Sequence, residues 1–436
     1  MPTLPPDRSE SVFEDFKPAY DDKQALVEAN RCLYCFDAPC MIACPTDIDI
    51  AGFIRKIATG NVRGSAKTIL DSNILGMSCA RVCPVEVLCV GECVHNHQDV
   101  PPIAIGKLQR YATDLALEND WQFYAAGAPT GKHVALVGGG PASLAAAHQL
   151  RRYGHAVTIY EARDQLGGLN TNGVAPYKLR ADDALAEVDY VLAIGGITVR
   201  TGMAIGRDLT FAALDEVHDA VFLGMGLGED SVMRVPGAGL EGVHGAVAFI
   251  EAFKTGIVNL AGVQQAVVVG GGNTAVDCVR ELRGLGVAEV SMVYRGDEST
   301  MSGYAHEWAE AKVEDGRGLW RTLPVAFEGE VSVSGVRCVR VGADKTPIEG
   351  TEFTVPAQLV LLAIGQSKLG ALVAGLEGVQ LEKGRIVVDA HGRTGRPGYF
   401  AGGDCANGGK EVVNAVAEGK AAAHAIHQHL TGASHG

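Results

Sequence analysis

Two compact runs hold eight of the chain's eleven cysteines. The first is Cys32-x2-Cys35-x4-Cys40-x3-Cys44, closed by Pro45; the second is Cys79-x3-Cys83, closed by Pro84, followed by Cys89-x3-Cys93. Thiols this dense ligate metal or carry electrons. Disulfides are the weakest reading. The N-terminus, MPTLPPDRSESVFEDF, has no apolar core of the kind a secretory signal needs. The expected compartment is the cytoplasm, where structural disulfides are rare. Zinc sites usually pair two short hooks across a longer gap, whereas each run here is compact. A proline directly after a cysteine closes the runs of two-cluster ferredoxins, in which that cysteine ligates the other cluster. The spacing therefore favours two 4Fe–4S clusters over zinc, with Cys44 crossing to the second.

A second chemistry is written twice in glycine. HVALVGGGPASLAAAHQL starts at His133 and QAVVVGGGNTAVDCVREL at Gln265; each reads as strand, glycine turn and helix. Gly138 and Gly140 take the first two glycine positions of the first copy, with Ser143 at the third. In the second copy they are Gly270 and Gly272, with Ala275 third. The first glycine permits the turn, the second lets backbone approach a pyrophosphate, and the helix N-terminus offers free N–H groups to the anion. Asn273 and Thr274 open the second helix. The strand AVTIYEA ends in Glu161, placed to accept from ribose hydroxyls. EVSMVYRGDEST ends in Arg295, where a basic residue can meet a 2′-phosphate. Asp297 and Glu298 disfavour a phosphate there, and no further Arg or Lys follows until Lys312, so NAD(H) is expected over NADP(H). Late in the chain, YFAGGD ends a strand in Gly403-Asp404, where a flavin's ribityl chain would pass. A helix from about Glu411 would aim its N-terminus at the flavin ring. The apolar strands 220–226 and 359–367 end in small residues, and Ala363 and Gly365 complete the candidate NAD site.

The elements that must position these groups follow from periodicity. Ile50, Phe53, Ile54 and Ile57 recur at helical spacing between the cysteine runs. Residues 121–132 read as a linker. The expected fold class is α + α/β: an N-terminal α-helical double iron–sulfur domain, then two Rossmann-like dinucleotide-binding domains. The expected boundaries are 1–130 for the helical domain, 131–229 with 367–436 for an FAD-binding domain, and 230–366 for an NAD(H)-binding domain. The length of 436 residues suits several cores, and 56 glycines point to close backbone approaches. A net charge of −14 argues against nucleic acid and anionic membrane surfaces. No run approaches the roughly 18 apolar residues that span a bilayer.

With these residues in hand, the whole chain resembles flavoproteins that join two dinucleotide sites to a double-cluster domain. Two such groups are the glutamate synthase small subunits and the N-terminal half of dihydropyrimidine dehydrogenase. RCLYCFDAPC, CPTDIDIAGFI, RVCPVEVLCVGEC and PPIAIGKLQRYATD are similar to the latter, with Cys83 and Cys89 further apart than in the glutamate synthase type. The resemblance implies a ligand map: Cys32, Cys35, Cys40 and Cys93 for the first cluster, and Cys44, Cys83, Cys89 and Gln109 for the second. Cys79 is left over. It also implies FAD contacts at Gly138, Gly140, Ala142, Glu161, Gly168, Leu169, Lys178, Gly403 and Asp404, although full-length relatives have arginine at the Lys178 place. The chain has no room for the FMN-binding barrel of about 250 residues. The implied protein is thus the small subunit of a bacterial two-subunit NAD-dependent dihydropyrimidine dehydrogenase, a heterotetramer by analogy.

On that reading NADH is oxidised at FAD, and electrons pass through two 4Fe–4S clusters to a partner FMN subunit that reduces uracil or thymine. No side chain is needed as a catalytic acid or base. His95, His97 and His306 read as surface or core residues, and the terminal HAIHQHL as a polar helix end, not a metal site. The main alternative is a glutamate synthase-type NAD(P)H oxidoreductase feeding another acceptor protein. A flavin disulfide reductase would need a redox cysteine pair, but Cys278, Cys338 and Cys405 are scattered. A relay subunit that has lost NADH oxidation is opposed by the intact glycine turns and Asp404.

Overall fold

The computed structural model describes residues 3–432. The N-terminal part is helical, and its helices are set by local caps. Asp49 accepts from Gly52 N at 2.9 Å and starts Ile50–Ala58, whose Ile50, Phe53, Ile54 and Ile57 are all buried. Asn61 accepts from Gly64 N at 2.9 Å and starts Val62–Ser72. The helix Ile105–Glu118 packs on both through Leu108, Ala112 and Ala116. These helices supply the apolar contacts. The cysteines therefore fall mainly in short turns between them, free of the geometry that a helix interior imposes.

Two five-stranded parallel sheets follow. The first runs in the order 399–401, 220–223, 133–137, 156–160, 197–200. The second runs 243–245, 359–362, 265–269, 289–293, 317–319. In each, the strand that enters the glycine turn is central, with its sequence-adjacent neighbour on one side and a later strand on the other. The strand order reverses at that point, and the crevice beyond the strand ends is where α/β sheets bind ligands. The α + α/β class expected from sequence is the observed one. An antiparallel three-stranded sheet of 322–328, 335–340 and 353–356 lies beside the second parallel sheet.

Two packings position the site. Helix Val412–Thr431 lies closely on helix Pro141–Arg152, because a Cβ at Gly419 would sit 2.0 Å from the Ala142 carbonyl oxygen. The N-terminal segment straps the parts together. Ser9 N donates to Gly256 O at 2.9 Å, while Phe13 meets Phe253 and Phe16 meets Tyr177 edge-on. Among the described residues, no helix is long and apolar enough to cross a membrane.

Candidate functional site

A large cavity, about 640 Å³, opens at the first glycine turn and reaches the second sheet's domain. Gly138, Gly140, Ala142, Glu161, Gly168, Leu169, Lys178, Gly403 and Asp404 all line it. The glycines form a cradle that side chains would fill. Gly138 has φ +96°, and a Cβ there would lie 2.5 Å from Gly224 O. A Cβ at Gly140 would meet only the Gly168 Cα, at 3.9 Å, which leaves the room that a turn admitting pyrophosphate requires. Glu161 accepts from Gly139 N at 2.7 Å and from Arg163 N at 2.8 Å, which fixes its carboxylate beside the turn. Burial raises Asp404 above the usual carboxylate range. Glu411, Val412 and Ala415 bring the first turn of the C-terminal helix to the same wall. These residues fit an FAD.

The second glycine turn is built alike. Gly270 has φ +150°, and a Cβ there would meet Ala363 O at 2.3 Å; Gly272 faces nearly open space. Gly270, Gly272, Asn273, Thr274, Ala363 and Gly365 gather at the C-terminal ends of strands 265–269 and 359–362, with exposed Arg295 beyond strand 289–293. Of these, only Asn273 reaches the large cavity. The linear reading missed one basic neighbour. Arg321, from the turn after strand 317–319, donates its backbone N–H to Gly296 O, and its side chain pairs with Asp297 at 2.6 and 2.9 Å. Asp297 thereby occupies the extra cation. Gly296 leaves no room for another, since a Cβ there would lie 2.6 Å from both Thr300 Oγ1 and the Tyr294 ring.

Between the two nucleotide regions lies a web that the motifs did not announce. Lys178 Nζ is 2.8 Å from Asp277 Oδ1 and 2.7 Å from Glu307 Oε1. Tyr177 donates to Asp277 at 2.6 Å, and Tyr304 donates to Glu411 at 2.6 Å. Burial opposes the Lys178 charge, but the two carboxylates outweigh it and hold the ammonium above its ordinary range. The available sequence signal was spacing: Asn273 and Asp277 share one helix face, as do Tyr304 and Glu307.

The cysteines ring two smaller cavities. Cys32, Cys35, Cys40 and Cys93 line one; Cys44, Cys79, Cys83, Cys89 and Gln109 line the other. Gln109 donates through Nε2 to Gly76 O at 2.7 Å, which leaves Oε1 as its free donor atom for a metal. Burial and the neighbouring Cys32, Cys93 and Cys35 push the Cys40 thiol up to about 11; burial and Cys44 push Cys89 to about 12. Ionising these thiols together needs a positive centre among them. Among the described residues, no three His, Cys, Asp or Glu side chains converge closely enough for one metal ion. Four thiols around the first cavity, and four together with Gln109 around the second, suit a multinuclear cluster with one protein ligand per iron. His95, read as a surface or core residue, is buried and lines the first cavity. His97 is exposed, and His306 stacks on Tyr304. The C-terminal helix end is not a free polar end. His427 stacks on Tyr153 and lies 2.9 Å from His155, because helical spacing turns this face toward the 153–155 turn.

The three cavities adjoin in series. Val82 lines the large cavity and its neighbour Cys83 the second; Val412 lines the large cavity and Val413 the second. Ile50 is shared by the second and the first.

Residues 8–121 match the family described as dihydropyrimidine dehydrogenase domain II, 4Fe-4S cluster, and residues 132–419 match the pyridine nucleotide-disulphide oxidoreductase family. The chain is 35% identical to the NAD-dependent dihydropyrimidine dehydrogenase subunit PreT of Escherichia coli K12, over 97% of this chain and 98% of that protein. It is 32% identical to the glutamate synthase (NADPH) small chain of Azospirillum brasilense, over 95% and 91%. In fold it is similar to FprA from Mycobacterium tuberculosis, with a TM-score of 0.58 and 19% identity over 69% of this chain and 85% of that one.

Proposed function

Because this chain belongs to the family that contains the dihydropyrimidine dehydrogenase PreT subunits and the glutamate synthase small chains, we propose that it is the electron-input subunit of an NAD-dependent dihydropyrimidine dehydrogenase. Membership alone makes it an FAD-dependent NAD(P)H oxidoreductase with iron–sulfur clusters, acting as a small subunit beside a partner. The finer reading adds NADH as donor and a separate FMN- and iron–sulfur-containing barrel subunit. That partner reduces uracil or thymine to the 5,6-dihydropyrimidine, in a cytoplasmic heterotetramer.

The observation that carries the reading is the series of adjoining cavities. When bound, a flavin takes a hydride from the nicotinamide and yields electrons singly, which iron–sulfur clusters accept one at a time. The chain's own part is spacing and insulation. Val82, Val412 and Val413 stand between the flavin cavity and the second cysteine cavity, and Ile50 between the two cysteine cavities. The cradle at Gly138 and Gly140 and the turn at Gly270 and Gly272 hold the two dinucleotides. Lys178, Asp277 and Glu307 line the cavity wall on the side of the second nucleotide turn, and would face the nicotinamide as it approaches a bound flavin.

Two measurements test this. Anaerobic preparations should contain about eight iron and one FAD per chain, with no FMN. NADH should then reduce uracil only when the barrel subunit is added. Co-purification with an amidotransferase, and no uracil reduction with the barrel, would favour the glutamate synthase-type alternative. The pairing of Arg321 with Asp297 supports NADH. The expected kcat/KM ratio of NADH over NADPH is at least about tenfold, about 1.4 kcal/mol, measured by dye reduction. A ratio below one would mean that Arg295 and Arg321 receive a 2′-phosphate.

A further inference from the structure

Each cysteine cavity carries one buried nitrogen without a partner in the protein. In the second cavity it is Asn73 Nδ2. Asn73 is wholly buried and lines that cavity; its Oδ1 accepts from Leu75 N at 3.0 Å, and its Nδ2 meets no acceptor. In the first cavity it is Nδ1 of the buried His95. A buried N–H left unpaired has lost its water without gaining a partner, which is costly. The second cavity does not let Asn73 escape that cost, because its backbone is held from both sides.

The holding groups come from the flavin-binding part. Lys420 Nζ donates to Asp71 O at 2.8 Å and Ser72 O at 3.3 Å, the carbonyl end of helix Val62–Ser72. Glu187 accepts from Met77 N at 2.8 Å and Ser78 N at 3.2 Å, the amide end of helix Gly76–Val82. Each charge matches the helix dipole it meets. Asn73 sits in the short connection between these two ends. The same second helix leads into Cys83, and its first carbonyl, Gly76 O, holds Gln109.

We propose that the Asn73 side-chain amide donates a hydrogen bond to a sulfur of the cluster that occupies the cavity of Cys44, Cys83 and Cys89, with Glu187 and Lys420 as positioning residues. The proposal rests on the cluster reading above. Sulfide and thiolate sulfurs are acceptors, and hydrogen bonds to them help set a cluster's potential. Reduction adds negative charge to the sulfurs, so the donor favours the reduced state and raises the potential.

The test uses the full chain with both clusters, grown with nitrogen-15-labelled asparagine, reduced anaerobically and probed by pulsed EPR. The second cluster's unpaired electron should couple to an asparagine nitrogen and to an exchangeable proton. Gln109 carries no label and does not interfere. Both couplings should vanish in Asn73→Leu. The electron equilibrium between flavin and second cluster should then shift about tenfold toward the flavin, about 59 mV for a one-electron couple. Glu187→Gln and Lys420→Met should weaken the couplings while iron content holds; a purely structural helix cap would not move them. Two intact clusters in the labelled wild-type chain without asparagine coupling would overturn the assignment, whether or not any variant folds. A chain that binds no iron after anaerobic reconstitution would overturn the cluster reading itself, and this inference with it.

Discussion

Lys178→Met is expected to lower NADH-driven dye reduction by about a hundredfold, the scale of losing one placed charge beside reacting groups. The ammonium lies within 2.8 Å of Asp277 and 2.7 Å of Glu307, and all three side chains are largely buried. Methionine keeps the stem and removes the charge. Two carboxylates are then left facing each other on the wall of the flavin cavity. They either take up protons or push the nucleotide regions apart, and both outcomes would disturb the wall that, on the proposed function, lies where nicotinamide meets flavin. Lys178→Arg keeps the charge and should recover activity to within about tenfold of wild type, since a salt partner of the same sign remains. Iron content should not change in either variant, because the cysteine cavities lie beyond Val82 and Val413. The measurement is kcat/KM for NADH with ferricyanide, normalised to bound FAD. An unchanged value in Lys178→Met would reduce the web to a simple domain contact.

The second large effect separates two ligand maps. Cys44, Cys79, Cys83, Cys89 and Gln109 all line one cavity, one group more than a four-iron cluster needs. Cys83→Ser is expected to cut iron from about eight to about four per chain. Dye reduction by NADH should persist, since the flavin side is intact, while electron delivery to a protein acceptor falls to background. Cys79→Ser should keep the full iron content, because Gln109 offers a free Oε1 once Nε2 is bound to Gly76 O. Cys79 and burial push the Cys83 thiol up, so losing that neighbour should ease rather than hinder its ionisation. Half the iron in Cys79→Ser, with full iron in Gln109→Leu, would exchange the two roles.

Much of this molecule was legible along the chain because its chemistry is local. The Cys-x2-Cys and Cys-Pro spacings, the two strand–glycine–helix units and the Gly403-Asp404 strand end each put their groups within one turn of backbone. Short-range geometry then leaves few alternatives. Gly138 at φ +96° and Gly270 at φ +150° occupy backbone regions that a side chain would strain, so glycine at those places signalled the cradle directly. The alternation of strand and helix signals likewise announced parallel sheets.

What the tertiary structure alone decided lies between segments far apart in sequence. No spacing rule joins Lys178 to Glu307, 129 positions away, or Arg321 to Asp297 across a turn. Spacing alone did not sort the candidate ligands into two sets, which only the resemblance implied, and it did not put Cys79 in the same cavity as Gln109. Glu187 and Lys420 stand in no motif. Only docking of the flavin-binding part turns them onto the helix ends that flank Asn73. The physical reason is common to all of these. Covalent geometry fixes neighbours over a few residues, whereas the packing of distant segments against one another decides which polar groups meet, and where that packing buries them they must find partners.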